Sequence, residues 1–286
     1  MGTPQSASLV AATPDALQLR TLAGLENFSV APAVVGPRTR ERLNAIYGFA
    51  RLVDTLGDEL GGDRLAALDW LEQDLDRVYE GAAEHPAMAR LVPFVRELSV
   101  PREPFVRLID ANRLDQKVHD YDTFEELAGY CDLSANPVGE LVLHAFGAAT
   151  RGNVELSDRV CTALQLVEHW QDVGEDAHNG RIYLPREDRQ RFEVVDDELL
   201  ATHTSDALRA LVAFEAERAR SLIDDGAPLV GRLRGRARAA VAAYVGGGRA
   251  ALDALKLAGY HVLPVGPKAT KAARMRATIA TFGAGR

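Results

Sequence analysis

Apolar residues recur along most of the chain at intervals of three and four, which is the period of a helix with one buried face. Leu65, Leu68, Leu71, Leu75 and Val78 form one such series. Strict alternation of apolar and polar residues, which is typical of half-buried strands, is scarce. The pattern therefore predicts an all-α fold. The predicted helices cover residues 15–25, 38–60, 63–81, 86–98, 102–116, 123–131, 135–151, 157–175, 195–200, 204–224, 229–246 and 248–258.

Glycine and proline mark the predicted helix ends. The breaks fall at Gly61-Gly62, Pro101, Asn136-Pro137, Gly152-Asn153 and Gly246-Gly247-Gly248. The triple glycine follows no strand and precedes no Gly-Lys-Ser/Thr sequence, so it predicts a helix break rather than a phosphate-binding loop.

The pattern divides the chain into three parts. Residues 1–14 are rich in Gly, Thr, Pro and Ser and are predicted to be disordered. Residues 15–265 form one predicted helical domain, and residues 266–286 form a basic tail. The tail is expected to be a frayed, solvated end, and the alternative is a weak contact with anionic lipid headgroups.

Composition narrows the classes of protein. With 286 residues, of which 47% are hydrophobic, the chain has enough apolar surface for a large core, and no linker favours two domains. The net charge of −8 argues against nucleic acid as the main partner. No segment approaches the roughly 20 apolar residues of a membrane span. Two widely spaced cysteines favour reduced thiols, so we expect a cytoplasmic protein, at most peripheral to the inner face of a membrane.

Two acidic clusters carry the strongest chemical signal. Asp54 and Asp58 are four residues apart, and so are Asp172 and Asp176, so each pair shares one face of a predicted helix. Mg²⁺ prefers oxygen ligands and often binds through one or two carboxylates together with substrate phosphates. The two clusters therefore predict an enzyme that uses Mg²⁺ to bind a diphosphate. A solvated helix face remains the alternative for either cluster alone.

Arginines and tyrosines near the clusters suit the same chemistry. Arg51 and Arg181 are candidate diphosphate clamps because a guanidinium presents forked donors to phosphate oxygens, and Arg40 is a weaker candidate. Salt bridges to the aspartates are the alternative for Arg51 and Arg181. Tyr47, Tyr130 and Tyr183 carry hydroxyls suited to orienting phosphate or water. The seven histidines show no shared ligand spacing, and none is assigned to a metal.

Taken together, these motifs resemble the squalene/phytoene synthase family over roughly residues 22–264. The resemblance rests on the following positions: Tyr47, Arg51, Asp54, Asp58, Glu59, Tyr130-Cys131, Val138-Gly139, Gln165, Asp172 to Asp176, and Arg181 to Pro185. It implies a single-domain isoprenoid synthase fold with helices around a central cavity. It also implies these roles: metal ligands Asp54, Asp58, Glu59, Glu168, Asp172 and Asp176; diphosphate-binding residues Arg51, Arg181, Tyr47, Tyr183 and Arg40; a catalytic Tyr130; and substrate-binding residues Phe28, Val138, Gly139 and Gln165.

Two positions depart from the family pattern. Thr55 stands where one branch of the family usually has a second Asp, and Glu168 stands where Asn is common. Glu168 either ligates Mg²⁺ one turn before Asp172 or faces away from the metal.

Within the family, four stretches resemble the hydroxysqualene synthase branch. They are Glu26 to Val30, Ser134 to Gly139, His169 to Asp172, and Ala258 to Tyr260. That likeness implies conversion of presqualene diphosphate to hydroxysqualene, with water as the final nucleophile and no nicotinamide, in bacterial squalene and hopanoid synthesis beside companion enzymes. Glu26 and Asn27 would then be catalytic residues that position the water; a helix-capping pair is the alternative.

Two other functions are open. A head-to-head prenyl transferase would make presqualene diphosphate, squalene or phytoene from two prenyl diphosphates with the same fold and metals. A non-catalytic binding or assembly factor would keep only the fold, and the four intact aspartates argue against it because clustered carboxylates repel one another.

Overall fold

The computed structural model describes residues 35–285, and the prediction of an all-α fold is confirmed over that range. Within residues 35–285 no β strand forms, and only one isolated parallel bridge pairs Asp120 with Ile182. Several predictions lie outside the described residues. They are those for the disordered start at 1–14, the helix at 15–25, and the side chains of Glu26, Asn27 and Phe28.

The described part of the chain is a succession of helices joined by short connections. In order they are α1 (Pro37–Asp54), a π-helical turn (Thr55–Glu59), α2 (Arg64–Glu80), α3 (Pro86–Ala89), α4 (Val92–Leu98), α5 (Glu103–Leu114), α6 (Phe124–Ser134), α7 (Asn136–Ala145), α8 (Arg151–Gln171), α9 (Val173–His178), α10 (Arg186–Arg191), a 3₁₀ turn (Asp196–Leu200), α11 (Asp206–Gly226), α12 (Leu229–Arg232), α13 (Gly235–Leu257) and α14 (Lys271–Ala284). No helix among them is long and apolar enough to cross a membrane within residues 35–285.

The first of two compact units contains the described residues up to Lys117 together with Pro137–Thr150. Its core is built from the apolar faces of α1, α2, α5 and α7, with α3 and α4 packed against it. Phe49 and Phe105 meet edge to face, with ring centroids 5.1 Å apart. Full burial of one such large side chain contributes about 1.5–3 kcal/mol, so this core holds the end of α1, and with it the first acidic cluster, in place.

The second unit contains Val118–Asn136 and the described residues from Arg151 onward. Helix α8 packs along α11, and α13 packs along α14. Trp170, Leu166, Leu211 and Ile223 are completely or almost completely buried. Burial of the last turn of α8 fixes the direction in which the second acidic cluster leaves the helix.

The predicted break at the triple glycine is wrong. Helix α13 continues through Gly246 and Gly248 as far as Leu257. A Cβ atom at Gly246 would lie 2.6 Å from the Cα atom of Thr278, and one at Gly248 would lie 2.5 Å from Ile223 Cδ1. These glycines therefore allow neighbouring helices to approach closely. Their intrinsic helix penalty of roughly 1 kcal/mol each is offset by that packing.

The prediction of a frayed basic tail is also wrong. Thr270 caps α14 by accepting a hydrogen bond from Ala273 N–H at 3.2 Å. Arg238 on α13 donates to the Phe282 carbonyl oxygen at 2.7 Å, and its guanidinium lies 4.6 Å from the centre of the Phe282 ring. The end of the chain is therefore a docked helix.

Two further helix boundaries differ from prediction. The helix expected at 135–151 ends at Ala145, and Gly147 follows with a positive φ of 68°. Gly152 lies in the first turn of α8, where it marks no break, and its carbonyl oxygen accepts a hydrogen bond from Arg232 at 3.0 Å. The first turn of a helix tolerates glycine because fewer hydrogen bonds depend on it there.

Candidate active site

The first acidic cluster lies where the helix changes its winding. Asp54 is the last residue of α1, and Asp58 lies in the π-helical turn that follows. The Leu60 N–H donates to the Thr55 carbonyl oxygen at 2.9 Å, which closes the wider ring of a π-helix. Such turns are rare and often occur at functional sites. The prediction of one regular helix over 38–60 is therefore wrong at its end, where the helix changes its winding. These are the residues that the sequence predicted to bind metal.

Desolvation by the surrounding protein and, to a smaller extent, repulsion from Asp58 together raise the pKa of Asp54 to about 7. Arg51 and a hydrogen bond with Asn112 oppose that rise. Asp54 is nevertheless exposed to solvent. A cation bound beside this carboxylate would favour the ionised form.

The π-helical turn is held by α5 and the residues just after it. A Cβ atom at Gly57 would lie 2.1 Å from Asn112 Oδ1, so only glycine allows this approach. Gln116 donates to the carbonyl oxygens of Gly57 and Asn112, both at 3.0 Å. Neither Asn112 nor Gln116 was predicted, because nothing in the sequence relates them to a segment more than 50 residues earlier.

Arg51 forms an ion pair with Glu59, one of the predicted metal ligands. The Arg51 side chain is 27% exposed and that of Glu59 is 53% exposed, so both reach solvent. Arg64 donates to the Asp58 carbonyl oxygen at 2.7 Å and steadies the end of the turn. The alternative expected for Arg51 was a salt bridge to the aspartates, and the ion pair seen here is instead with a glutamate.

Two other residues predicted to bind diphosphate lie on α1. Arg40 is exposed in its first turn and donates to the Val35 carbonyl oxygen at 3.3 Å, and Tyr47 is half-buried in its middle.

The second acidic cluster lies at a break between helices. The predicted helix 157–175 is interrupted at Asp172, which follows α8 with φ −110° and ψ 15° and begins α9. The Asp176 N–H donates to the Asp172 carbonyl oxygen at 2.8 Å, so the two residues remain one turn apart. Asp172 Oδ1 lies 2.7 Å from Lys268 Nζ, and the side chain of Asp172 is 33% exposed.

His169 lies beside Asp176, although the sequence assigned it no role. Its Nδ1 atom is 3.8 Å from Asp176 Oδ2, and its Nε2 atom is 3.1 Å from Gln165 Nε2. Burial lowers the pKa of His169, so the ring is neutral at neutral pH. Because the Gln165 amide donates to Nε2, the remaining ring proton lies on Nδ1 and faces Asp176. Gln165, predicted to bind substrate, thus orients the histidine.

Aromatic rings surround this histidine. The imidazole of His169 stacks on the Tyr183 ring with centroids 3.6 Å apart and planes inclined by 16°. Tyr130, predicted to be catalytic, is buried and stacks on Tyr183 at 5.8 Å. Tyr121, which was not predicted, lies 5.6 Å from Tyr130. The cluster forms a rigid aromatic wall next to the carboxylates.

A small cavity brings three of the predicted residues together. Its volume is about 10 Å³, and Asp176, Arg181 and Tyr183 line it together with His169. The Arg181 N–H donates to the Asp176 carbonyl oxygen at 2.9 Å, and this hydrogen bond fixes the arginine next to the second acidic cluster. A space of this size holds about one water molecule. Asp176, predicted to bind metal, therefore lines the same cavity as Arg181 and Tyr183, which were predicted to bind diphosphate.

The remaining predicted residues have less distinctive surroundings. Val138 packs against the core of the first unit, and Gly139 follows it on α7. Glu168 is half-buried one turn before Asp172 and accepts the Asp172 N–H through its carbonyl oxygen at 2.9 Å.

The donor chemistry suits a hard cation. Across residues 35–285, no group of three or more His, Cys, Asp or Glu side chains is arranged to hold a metal ion. Each cluster therefore offers two carboxylates at most. Mg²⁺ matches such a set, because it commonly binds one or two carboxylates and completes its shell with water and phosphate oxygens.

Comparison with known proteins agrees with these features. The squalene/phytoene synthase family model matches residues 23–276. A hydroxysqualene synthase of Rhodopseudomonas palustris is 33% identical over 213 residues, which cover 73% of this chain and 72% of the relative. A phytoene synthase of Mycobacterium bovis is 31% identical over 231 residues, covering 79% and 76%.

A solved structure described as squalene synthase HpnC from Alicyclobacillus acidocaldarius is 40% identical, with a TM-score of 0.80 and coverage of 88% of this chain and 98% of that one. A ligand-bound dehydrosqualene synthase has a TM-score of 0.83 over 94% of this chain and 95% of that one, and at 24% identity it supports the fold alone.

Proposed function

Because this chain belongs to the squalene/phytoene synthase family, we propose that it converts presqualene diphosphate to hydroxysqualene with release of diphosphate, using Mg²⁺ and no nicotinamide. An upstream head-to-head condensing enzyme must then supply the C30 diphosphate, and a later enzyme must remove the hydroxyl group. The observation that carries the proposal is the placement of Asp176 and Arg181 on one small cavity beside Tyr183 and His169. The choice of branch is supported by the 40% identity to the structure described as HpnC.

Breaking the C–O bond of a diphosphate ester leaves a highly charged anion beside a carbocation. Mg²⁺ held by the aspartates would neutralise the leaving group, a Lewis-acid effect that contributes several kcal/mol. Arg181 would donate to the phosphate oxygens from the edge of the acidic turn. The buried aromatic rings of Tyr130 and Tyr183 would exclude bulk water while the carbocation exists.

To quench the carbocation and form the alcohol, one water molecule must be held next to the cationic carbon. We assign this step to Glu26 and Asn27, which lie outside the described residues. The carboxylate would accept the proton of the attacking water, and the amide would orient it. If so, Glu26→Ala and Asn27→Ala lower the yield of alcohol or alter the product ratio. An unchanged yield and ratio would remove both residues from the mechanism.

The direct test is product analysis by gas chromatography and mass spectrometry. Purified protein is incubated with presqualene diphosphate and Mg²⁺, without nicotinamide, and a parallel reaction contains farnesyl diphosphate. Hydroxysqualene from the first substrate and no C30 product from the second is the expected result. A third reaction with EDTA is expected to give no alcohol, and full activity there would exclude Mg²⁺.

A condensing enzyme is the second candidate. It is favoured by the 31% identity to a phytoene synthase over 231 residues, which is a longer match than the one to the hydroxysqualene synthase. Formation of presqualene diphosphate from farnesyl diphosphate, without alcohol from presqualene diphosphate, would establish this function instead.

We also propose peripheral contact with an anionic membrane surface, from which a hydrocarbon substrate would be delivered. Residues 266–286 hold five Lys or Arg residues and no Asp or Glu in a chain with a net charge of −8. Met275 and Ile279, one turn apart on α14, are 62% and 64% exposed. Basic and apolar side chains on one short helix are typical of a segment that lies on a bilayer.

A further inference from the structure

Lys268, the last residue of the strap, defined as residues 262–268, forms an ion pair with the second acidic cluster. Its Nζ atom lies 2.7 Å from Asp172 Oδ1, and the two side chains are 43% and 33% exposed. The sequence placed Lys268 in a solvated tail, 96 residues from its partner. The ammonium group of Lys268 therefore lies where a metal ion would bind to the carboxylate of Asp172, a predicted metal ligand.

The strap is fixed at its start and along its length. The N–H groups of Val262 and Leu263 both donate to Thr204 Oγ1, at 3.0 and 2.9 Å. Further along, Gln171 donates its side-chain amide to the Pro267 carbonyl oxygen. These contacts hold the backbone of the strap independently of the lysine.

The strap also packs directly against the end of α8 and the second acidic cluster. A Cβ atom at Gly266 would come within 2.1 Å of the Gln171 carbonyl oxygen, and one at Gly174 would lie 2.8 Å from Leu263 Cδ2. Gly266 is needed for this close approach because a Cβ atom there would meet backbone atoms, whereas at Gly174 the nearest atom is the end of a flexible side chain. Because Thr270 caps α14 immediately after the strap, the backbone at Lys268 is held from both sides.

With the backbone held, an exchange of partners by Lys268 requires movement of its flexible side chain alone. Mg²⁺ and an ammonium ion compete for the same carboxylate oxygen because both are attracted by its charge. Once displaced, the ammonium stays next to the site and offers three donors to an anion. A diphosphate bound with the metal is such an anion.

We propose that Lys268 exchanges partners during substrate binding: it holds Asp172 in the metal-free protein, yields it to Mg²⁺, and then binds the diphosphate. This inference rests on the proposed function and adds a residue that couples metal binding to substrate binding. Metal alone would bind weakly, and metal with diphosphate would bind more tightly.

The test compares the full-length protein with Lys268→Met, which removes the charge and keeps the length of the side chain. Isothermal titration with MgCl₂ alone should show Mg²⁺ binding about two- to fivefold tighter in the variant, the range that an exposed ion pair is worth. Titration with inorganic diphosphate at saturating Mg²⁺ should show binding weakened by a similar factor. Unchanged affinity in either titration would overturn the proposal.

Two further variants serve as controls. Lys268→Arg keeps the charge and is expected to behave like the wild type in both titrations. Lys271→Met removes an exposed lysine three residues away and is also expected to match the wild type. If Lys271→Met reproduced the changes of Lys268→Met, the effect would be one of general charge, and the proposal would fail.

These titrations do not depend on product formation. If the wild type makes hydroxysqualene but Lys268→Met binds both ligands as the wild type does, only the exchange of partners is wrong. If both affinities change as expected but no variant, nor the wild type, acts on presqualene diphosphate, only the proposed function is wrong.

Discussion

At the scale of single residues, Asp176 takes part in several features of the candidate site. It lies beside His169 and lines a cavity with Arg181 and Tyr183. Its neighbour Glu175 is exposed and lines no part of that cavity. The two carboxylates therefore differ in role although they are adjacent in sequence.

This difference predicts unequal effects of neutralising the two side chains. Asp176→Asn should lower turnover of presqualene diphosphate by about two to three powers of ten, because several kcal/mol of leaving-group stabilisation would be lost. Glu175→Gln is the matched control and should keep nearly full turnover. Steady-state kinetics at saturating Mg²⁺ measures both. Comparable turnover of the two variants would contradict the assignment of Asp176 to the metal.

The buried carboxyl group of Glu215 lies in an ionic cluster on α10 and α11. Arg218 Nη1 lies 3.1 Å from both carboxylate oxygens of Glu215 and 2.9 Å from Asp188 Oδ2. Burial, with a smaller contribution from Asp188, raises the pKa of Glu215 to about 8 although Arg218 acts in the opposite direction. Glu215 is therefore largely protonated at neutral pH in the folded protein.

The raised pKa predicts how stability depends on pH. A group whose pKa is higher in the folded state than in the unfolded state stabilises the fold below its unfolded value, and this contribution is lost as pH rises through the folded value. Between pH 4.5 and pH 8 the wild type should therefore lose stability, by on the order of a few kcal/mol, relative to Glu215→Gln. Urea unfolding at several pH values measures the difference.

Glu217→Gln, at an exposed position two residues away, is the control and should follow the wild type at every pH. A constant difference between the wild type and Glu215→Gln across this pH range would show that the carboxyl group titrates normally.

Among the helices, α13 and α14 show most clearly that packing overrides intrinsic propensity. Three glycines in a row lie inside α13, and all three are buried. At Gly246 the neighbouring atoms are backbone atoms of α14, which yield only if the whole helix shifts.

Gly246→Ala should therefore loosen α14, even though alanine favours a helix. We expect a loss of about 1–3 kcal/mol, the usual cost of forcing extra volume into a packed interface. Hydrogen exchange of α14, followed by mass spectrometry, should become faster.

Gly283→Ala is the matched control, because a Cβ atom there meets nothing within 4 Å. It should leave exchange unchanged or slow it, since alanine stabilises the helix. Equal exchange of α14 in Gly246→Ala and the wild type would show that the close approach is dispensable.

At the scale of the whole molecule, charge is unevenly distributed. The chain carries a net charge of −8, while its last helix exposes basic and apolar side chains. An acidic protein as a whole is repelled by anionic lipid, so binding requires a local basic and apolar surface such as this one.

The proposed membrane contact predicts co-sedimentation with vesicles that contain anionic lipid, and weaker binding at high salt. The double variant Met275→Ser and Ile279→Ser should reduce the bound fraction severalfold, since burial of each apolar side chain contributes to binding. Leu65→Ser, which changes an exposed apolar residue on α2, is the control and should bind normally. Equal binding of the wild type and the double variant would locate the contact elsewhere or exclude it.

Local periodicity and motif spacing determined the fold class of this protein and the position of its acidic clusters in the chain. The helical period predicted the all-α fold. The sequence alone also identified Asp54, Asp58, Asp172 and Asp176 as candidate ligands, because a spacing of four residues places two carboxylates on one face of a helix. The family likeness rests on the same short spacings. Such features depend on neighbours within one or two turns, and the sequence contains all of that information.

Only the tertiary structure decided which distant residues complete each cluster. Asn112 and Gln116 reach the π-helical turn, His169 meets Tyr183, and Lys268 meets Asp172 across 96 residues of sequence. The tertiary structure also decided that helix α13 continues through the triple glycine and that the tail forms a docked helix. Both outcomes depend on how closely the two helices pack against each other. Intrinsic propensity is worth roughly 1 kcal/mol per residue, and the packing of whole helices outweighs it.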